Sequence, residues 1–114
     1  MPRYYWAVVE ANLDPVIGAE QRGSRPVLIV SNEEFNLSMS NVTIVPLTST
    51  KRRLYPSEVL LPKGKAGQPL DSIIVAHQIR TISQRRLGKV LGYLDSPEIQ
   101  HKVNEAIKEH LSLD

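Results

Sequence analysis

The sequence predicts a mainly β protein, a small barrel or curled sheet carrying a C-terminal amphipathic helix, and three observations lead there. The first 83 residues hold several short apolar runs, each interrupted by Gly, Pro, Asn or Ser, which is the pattern of a small all-β unit. The last twenty residues change period to a four-residue apolar spacing. At 114 residues the chain supplies one core of ordinary size and no second one, so residues 1–114 are expected to form a single domain.

The first expected strand is Tyr5–Glu10, with Trp6 placed in the core or at a stacking surface. The second is Pro26–Val30, apolar on both faces and therefore buried. Val42–Leu47 is the third, rich in β-branched residues, and Ser57–Leu61 the fourth, bounded by Pro56 and Pro62. Ile73–Ile82 is expected as the fifth and longest. Five short strands in so few residues favour a barrel or curled sheet, because closure removes exposed edges. Ser83–Leu87 reads as a short helical turn and Val90–Leu94 as a further strand. In the final helix Ser96 caps, Pro97 takes the first position, and Ile99, Val103, Ile107 and Leu111 line one face.

Composition removes several kinds of protein. With 41% hydrophobic and 23% charged residues the chain is neither collagenous nor wholly disordered. No stretch approaches 18 apolar residues, and Met1–Trp6 lacks the run a secretory signal needs, so a cytoplasmic location is expected. There is no cysteine, hence no disulfide, thiol nucleophile or thiolate metal site. His77, His101 and His110 are scattered, and neither a metal site nor a cofactor is expected. The charge is partitioned: residues 1–94 hold 12 Lys and Arg against 7 Asp and Glu, and residues 95–114 hold 2 against 5. A body at +5 with a tail at −3 suits a polyanionic partner.

Phosphate-loop, nucleophile-elbow and zinc-helix motifs are missing. What remains lies at strand ends. Arg25 joins a long loop, 14–24 with Gly18 and Gly23, to a buried strand, where it either aims at an anion or pairs with Glu20 or another acid. Thr48 and Ser49 follow the third strand, so their hydroxyls sit at its mouth or satisfy a turn. Lys51, Arg52, Arg53 and Tyr55 make a basic segment with an aromatic, and Lys63 and Lys65 a basic turn.

These residues fall into four blocks: Gly18-x-Glu20-Gln21-x-Gly23-x-Arg25-Pro26-Val27-Leu28-Ile29-Val30, Val45-Pro46-Leu47-Thr48-Ser49, Gln78-Ile79-Arg80-Thr81-Ile82, and Arg86-Leu87. In that order and over nearly the whole chain they resemble the MazF/PemK (Kid) family of toxins from bacterial toxin–antitoxin pairs. The resemblance implies a small SH3-like barrel, a homodimer with RNA in a groove at its interface, and metal-independent cleavage of single-stranded RNA, chiefly mRNA. It also implies a cognate acidic antitoxin laid over the same groove, no membrane, and DNA contact only through that antitoxin. By position Arg25 and Thr48 match the family's catalytic pair, with Glu20 a further candidate for the base or for orienting Arg25. Ser49, Lys51, Arg52, Arg53, Tyr55, Gln78, Arg80 and Arg86 are the expected RNA contacts. Relatives place an acid immediately before the Gln of the third block, where this chain has His77. That imidazole relays a proton if it faces the groove, and is a hydrogen-bonded strand residue otherwise. A non-enzymatic toxin or nucleic-acid-binding module on the same barrel, like the gyrase poisons, is the alternative.

Overall fold

The computed structural model describes residues 3–114; of the Met1–Trp6 segment, Met1 and Pro2 lie outside the described residues. Seven strands and two α-helices follow in the order β1 (Ala7–Asn12), β2 (Ser24–Ile29), α1 (Glu33–Ser38), β3 (Asn41–Thr48), β4 (Glu58–Leu61), β5 (Ser72–Val75), β6 (Arg80–Ser83), β7 (Leu87–Tyr93) and α2 (Pro97–Leu111). All pairings are antiparallel, in the order β4-β5-β3-β2-β1-β7, with β6 also on β3.

The mainly β class is as expected, but the sheet is curled and its ends are not joined by a ladder: among the described residues β4 and β7 remain unpaired with each other. The gap is filled by backbone packing. A Cβ on Gly67, in the β4–β5 connection, would stand 2.2 Å from the Leu91 carbonyl oxygen, and one on Gly92 would stand 2.5 Å from that of Ala66. Only glycine permits so close an approach, and at Gly67 the φ of +84° requires it as well.

Strand alternation gives the sheet two apolar faces. Val8, Leu28, Val45, Leu47, Val59, Leu61 and Ile74 belong to one cluster, which Trp6 and Leu94 join and α2 covers with Ile99 and Val103. Ala7, Val9, Ala11, Val27, Ile29, Val42, Ile44 and Ile82 form the other. Trp6 is thus core. It adopts a left-handed φ of 66° in a turn, so β1 begins at Ala7 and not at Tyr5.

The expected fifth strand is two strands. Between the pairs Leu47↔Ile74 and Ile44↔Arg80, β3 advances three residues while its partner advances six. The three extra residues are Ala76–Gln78, a single 3₁₀ turn that lifts off the sheet. Pro46, which has no N–H for a ladder, falls opposite this break.

The sequence reading also lacked α1. Asn32 caps it by accepting from Phe35 N (2.9 Å), and Glu33 reaches back to accept from the backbone N–H groups of Tyr5 (2.9 Å) and Tyr4 (3.1 Å). Burial opposes the charge on Glu33, but those N–H groups and the Asn36 amide outweigh it and lower its pKa. The other boundaries move by one to three residues. Ser96 accepts from Ile99 N as an N-cap and Pro97 opens α2, as expected. Leu111 departs from expectation: it is 48% exposed, because the helix outruns the sheet after Ile107.

Candidate functional site

Register decides which side chains share a surface. Val27 lies opposite Pro46, Ala11 opposite Arg25, Thr48 opposite Ile73, and Ile73 opposite Leu60. Cross-strand partners point to the same side and alternate residues repeat it, so Arg25, Pro46, Thr48, Ile73, Leu60 and Glu58 all belong to the Val27 face. Arg25 and Thr48 therefore occupy adjacent strand ends with side chains on one face.

Arg25 is held by carbonyl oxygens: its Nε donates to Arg22 O (3.0 Å) and Nη1 to Leu47 O (3.3 Å). Among the described residues no carboxylate pairs with it. The Glu20 pairing considered from sequence does not occur, because the Glu20 carboxylate turns into its own loop to accept from Ile17 N at 2.5 Å. A guanidinium fixed by two neutral acceptors keeps its charge and its Nη2 donors for an anion. Thr48 is buried; its hydroxyl accepts from Thr50 N (3.3 Å) and donates to the Thr50 hydroxyl (3.1 Å).

Two hollows adjoin this pair. One, of about 280 Å³, wraps the strand ends from the opposite face and brings Arg25, Thr48 and Ser49 beside Glu10 and Leu70. The other, of about 260 Å³, lies on the Val27 face and is lined by Pro46, Glu20, Gln21, His77, Gln78 and Arg80. Pro46 precedes Thr48 by two residues, about 7 Å along a strand, so the second hollow lies farther along β3 on the same face as the Arg25 and Thr48 pair, neither of which lines it.

The long loop over this face is tied down by residues expected to contact RNA. Gln78 Oε1 accepts from Gln21 N (2.8 Å), Arg80 Nη1 donates to Leu13 O (3.5 Å), and Arg86 Nη1 donates to Asn12 O (3.1 Å) and to Asp14 O. Gly18 and Gly23 take the left-handed φ values of +61° and +77° that its turns require.

The basic segment after β3 is less free than its composition suggests. Lys51 and Arg53 are exposed, but Arg52 makes a two-pronged ion pair with Glu58, Nη1–Oε1 2.7 Å and Nη2–Oε2 2.9 Å. Its guanidinium also lies 4.7 Å from the Tyr55 ring centroid, with that of Arg53 at 5.7 Å. Glu58 accepts further from Tyr55 N (2.8 Å) and bonds His77 Nε2 (2.9 Å). The Arg52 donors, against the pull of burial and with help from Tyr55 N and His77, hold the Glu58 carboxyl at about 2. His77 is on the 3₁₀ turn, with 32% of its side chain exposed. It neither faces the core nor continues a strand.

Sequence reasoning passed over Glu10 and Glu58. Each left a signal: Glu10 is the one charged residue within the apolar run 7–11, and Glu58 the one charged residue between Pro56 and Pro62.

Residues 5–111 match the family described as PemK-like, MazF-like toxin of type II toxin–antitoxin system. The chain is 35% identical over 109 residues to Endoribonuclease MazF9 of Mycobacterium tuberculosis, covering 91% of this chain and 92% of that protein. It is 36% identical over 104 residues to Endoribonuclease EndoA of Bacillus subtilis, covering 90% and 89%. Among solved structures, an endoribonuclease in complex with its cognate antitoxin from Mycobacterial species superimposes with a TM-score of 0.76 at 31% identity, over 100% of this chain and 98% of that one.

Proposed function

The chain belongs to the PemK-like, MazF-like toxins of type II toxin–antitoxin systems, and from that premise we propose that it is an endoribonuclease cutting single-stranded RNA, chiefly mRNA, without a metal ion. We take residues 1–114 as one toxin domain that acts as a homodimer in the cytoplasm and is neutralised by an acidic antitoxin. The relative solved with its cognate antitoxin supports the partner. No helix of the described residues is long and apolar enough to cross a membrane.

The observation that carries the reading is the Arg25 guanidinium, fixed by two carbonyl oxygens and free of any carboxylate among the described residues, beside the Thr48 hydroxyl. RNA brings its own nucleophile. The ribose 2′-oxygen attacks the adjacent phosphorus, the bond to the 5′-oxygen breaks, and a 2′,3′-cyclic phosphate and a 5′-hydroxyl result. The proton lost by the 2′-hydroxyl goes to a base, and an acid returns one to the leaving oxygen. Extra negative charge builds on the non-bridging oxygens in between, and donors placed for it lower the barrier. Arg25 Nη2 supplies such donors, and the Thr48 hydroxyl adds one when its hydrogen turns from Thr50 to the phosphate. His77, in the hollow beside Pro46, serves as the proton carrier, a role worth roughly 10²- to 10⁴-fold. Glu20 and Gln78 shape the same hollow, and Lys51, Arg53, Tyr55 and Ser49 extend a cationic, partly aromatic path for the strand. Arg52, Arg80 and Arg86 contribute through the segments they anchor as much as through charge.

The test is cleavage of an RNA oligonucleotide in EDTA with end mapping. The parent should leave a cyclic phosphate and spare a substrate that is 2′-deoxy at the cleavage site. Arg25→Ala should lose cleavage while keeping fold and dimer. Cleavage of the 2′-deoxy substrate, or near-parental activity of Arg25→Ala, would refute the reading. The alternative of a non-enzymatic, gyrase-poison-like toxin is not favoured, since the relatives are named as endoribonucleases.

A further inference from the structure

The most completely satisfied charged group among the described residues lies outside the Arg25 and Thr48 pair. Glu58 stands at the head of β4 with none of its side chain accessible, and four donors close on it: Arg52 Nη1 and Nη2, Tyr55 N and His77 Nε2, all at 2.7 to 2.9 Å. An ionised carboxylate only accepts hydrogen bonds. Nε2 of His77 must therefore carry a hydrogen, and in the neutral imidazole Nδ1 is left as the bare acceptor. Arg52 is itself packed on Tyr55, its guanidinium 4.7 Å from the ring centroid, so its pairing with Glu58 has support from a second side. Glu20 and Arg80 line the same hollow as His77, and the ring centroid of His110 of α2 is 6.2 Å away.

We propose that Glu58 is a positioning residue, which fixes His77 as the Nε2–H tautomer and turns Nδ1 toward the RNA strand as the proton-transfer atom. This rests on the ribonuclease reading and extends it. The imidazole comes from the 3₁₀ turn and the carboxylate that holds it from β4. The arrangement follows the general logic in which a carboxylate holds an imidazole in one tautomer without taking the proton itself.

Two measurements test it. In ¹⁵N-labelled protein, long-range correlations of the imidazole ring should give the Nε2–H pattern for His77 in the parent above the pH at which the ring is charged, and a mixture of tautomers in Glu58→Gln, whose amide can donate as well as accept. On an RNA oligonucleotide, Glu58→Gln should lower kcat on the order of 10²-fold, at the low end of what a placed acid–base group supplies, with KM unchanged. In a His77→Ala background the same change should have no further effect. A parent His77 in the Nδ1–H form overturns the proposal without any variant. So does a Glu58→Gln protein with parental kcat, or one whose loss persists undiminished in the His77→Ala background, which would mark a structural role. A parent that leaves RNA intact would overturn the ribonuclease reading itself; parental cleavage with the wrong tautomer would overturn only this inference.

Discussion

Acid should undo one identifiable part of this protein's stability. The Glu58 carboxyl sits at about 2 instead of the usual 4.5, because Arg52, Tyr55 N and His77 hold its charged form. A depressed carboxyl pKa adds stability that is complete above the unfolded value and fades as pH falls toward the folded one. The window is therefore roughly pH 5 to 2, and the amount lost is about 3 kcal/mol, from 1.36 kcal/mol per pH unit of separation. That is a large share of the 5–15 kcal/mol typical of a domain. Glu58→Gln keeps the shape and forgoes the charge, so it isolates the effect. Urea unfolding followed by the fluorescence of Trp6, the one tryptophan and 7% exposed, gives the measurement, at one fixed protein concentration for both proteins. The parent should exceed the variant by about 3 kcal/mol at pH 6, and the two should converge near pH 2. Glu33, also depressed, cancels because both proteins contain it. A gap that stays constant from pH 6 to pH 2 would refute the assignment of the effect to the Glu58 charge.

Two further predictions concern packing. Gly67→Ala should cost more than about 3 kcal/mol in urea unfolding, through the 2.2 Å clash with Leu91 O, whereas Gly64→Ala, with a similar φ of +79° and open space around it, should cost only about 1–2 kcal/mol; equal costs would remove the clash as the cause. Val103→Ala should cost about 2 kcal/mol and Leu111→Ala under about 0.5, since the first is fully buried and the second is 48% exposed; the reverse order in thermal melts would contradict the placement of α2.

Much of the fold was legible because apolar runs and their punctuation report burial directly. Pro26–Val30, Val42–Leu47 and the Ser96–Pro97 helix start all sit within a residue or two of where the sequence puts them. The break at Ala76–Gln78 was not legible: both halves of Ile73–Ile82 are strand-like, and the interruption shows only against β3, a distant partner. Asn32 followed by Glu33 and Glu34 does carry a helix-start signal for α1, but six residues give no period to confirm it. At the candidate site, Arg25 and Thr48 stand out as polar residues ending buried strands and as matches to family blocks. The Glu58–His77 contact joins residues 19 apart and arises from the β4–β5 pairing and the 3₁₀ turn together, neither of which composition reveals. The pairing of Arg52, expected as an RNA contact, with Glu58 was hidden for the same reason.

The 3₁₀ turn at Ala76–Gln78 has an evolutionary corollary. Side chains along β6 alternate with a step of two, so losing or gaining one residue in the turn would exchange the pair Arg80 and Ile82 for Thr81 and Ser83 on the apolar side, while substitutions there leave the frame alone. As far as this frame is concerned, what related chains must keep at 76–78 is the number of residues; the letters answer to the separate demands on His77 and Gln78.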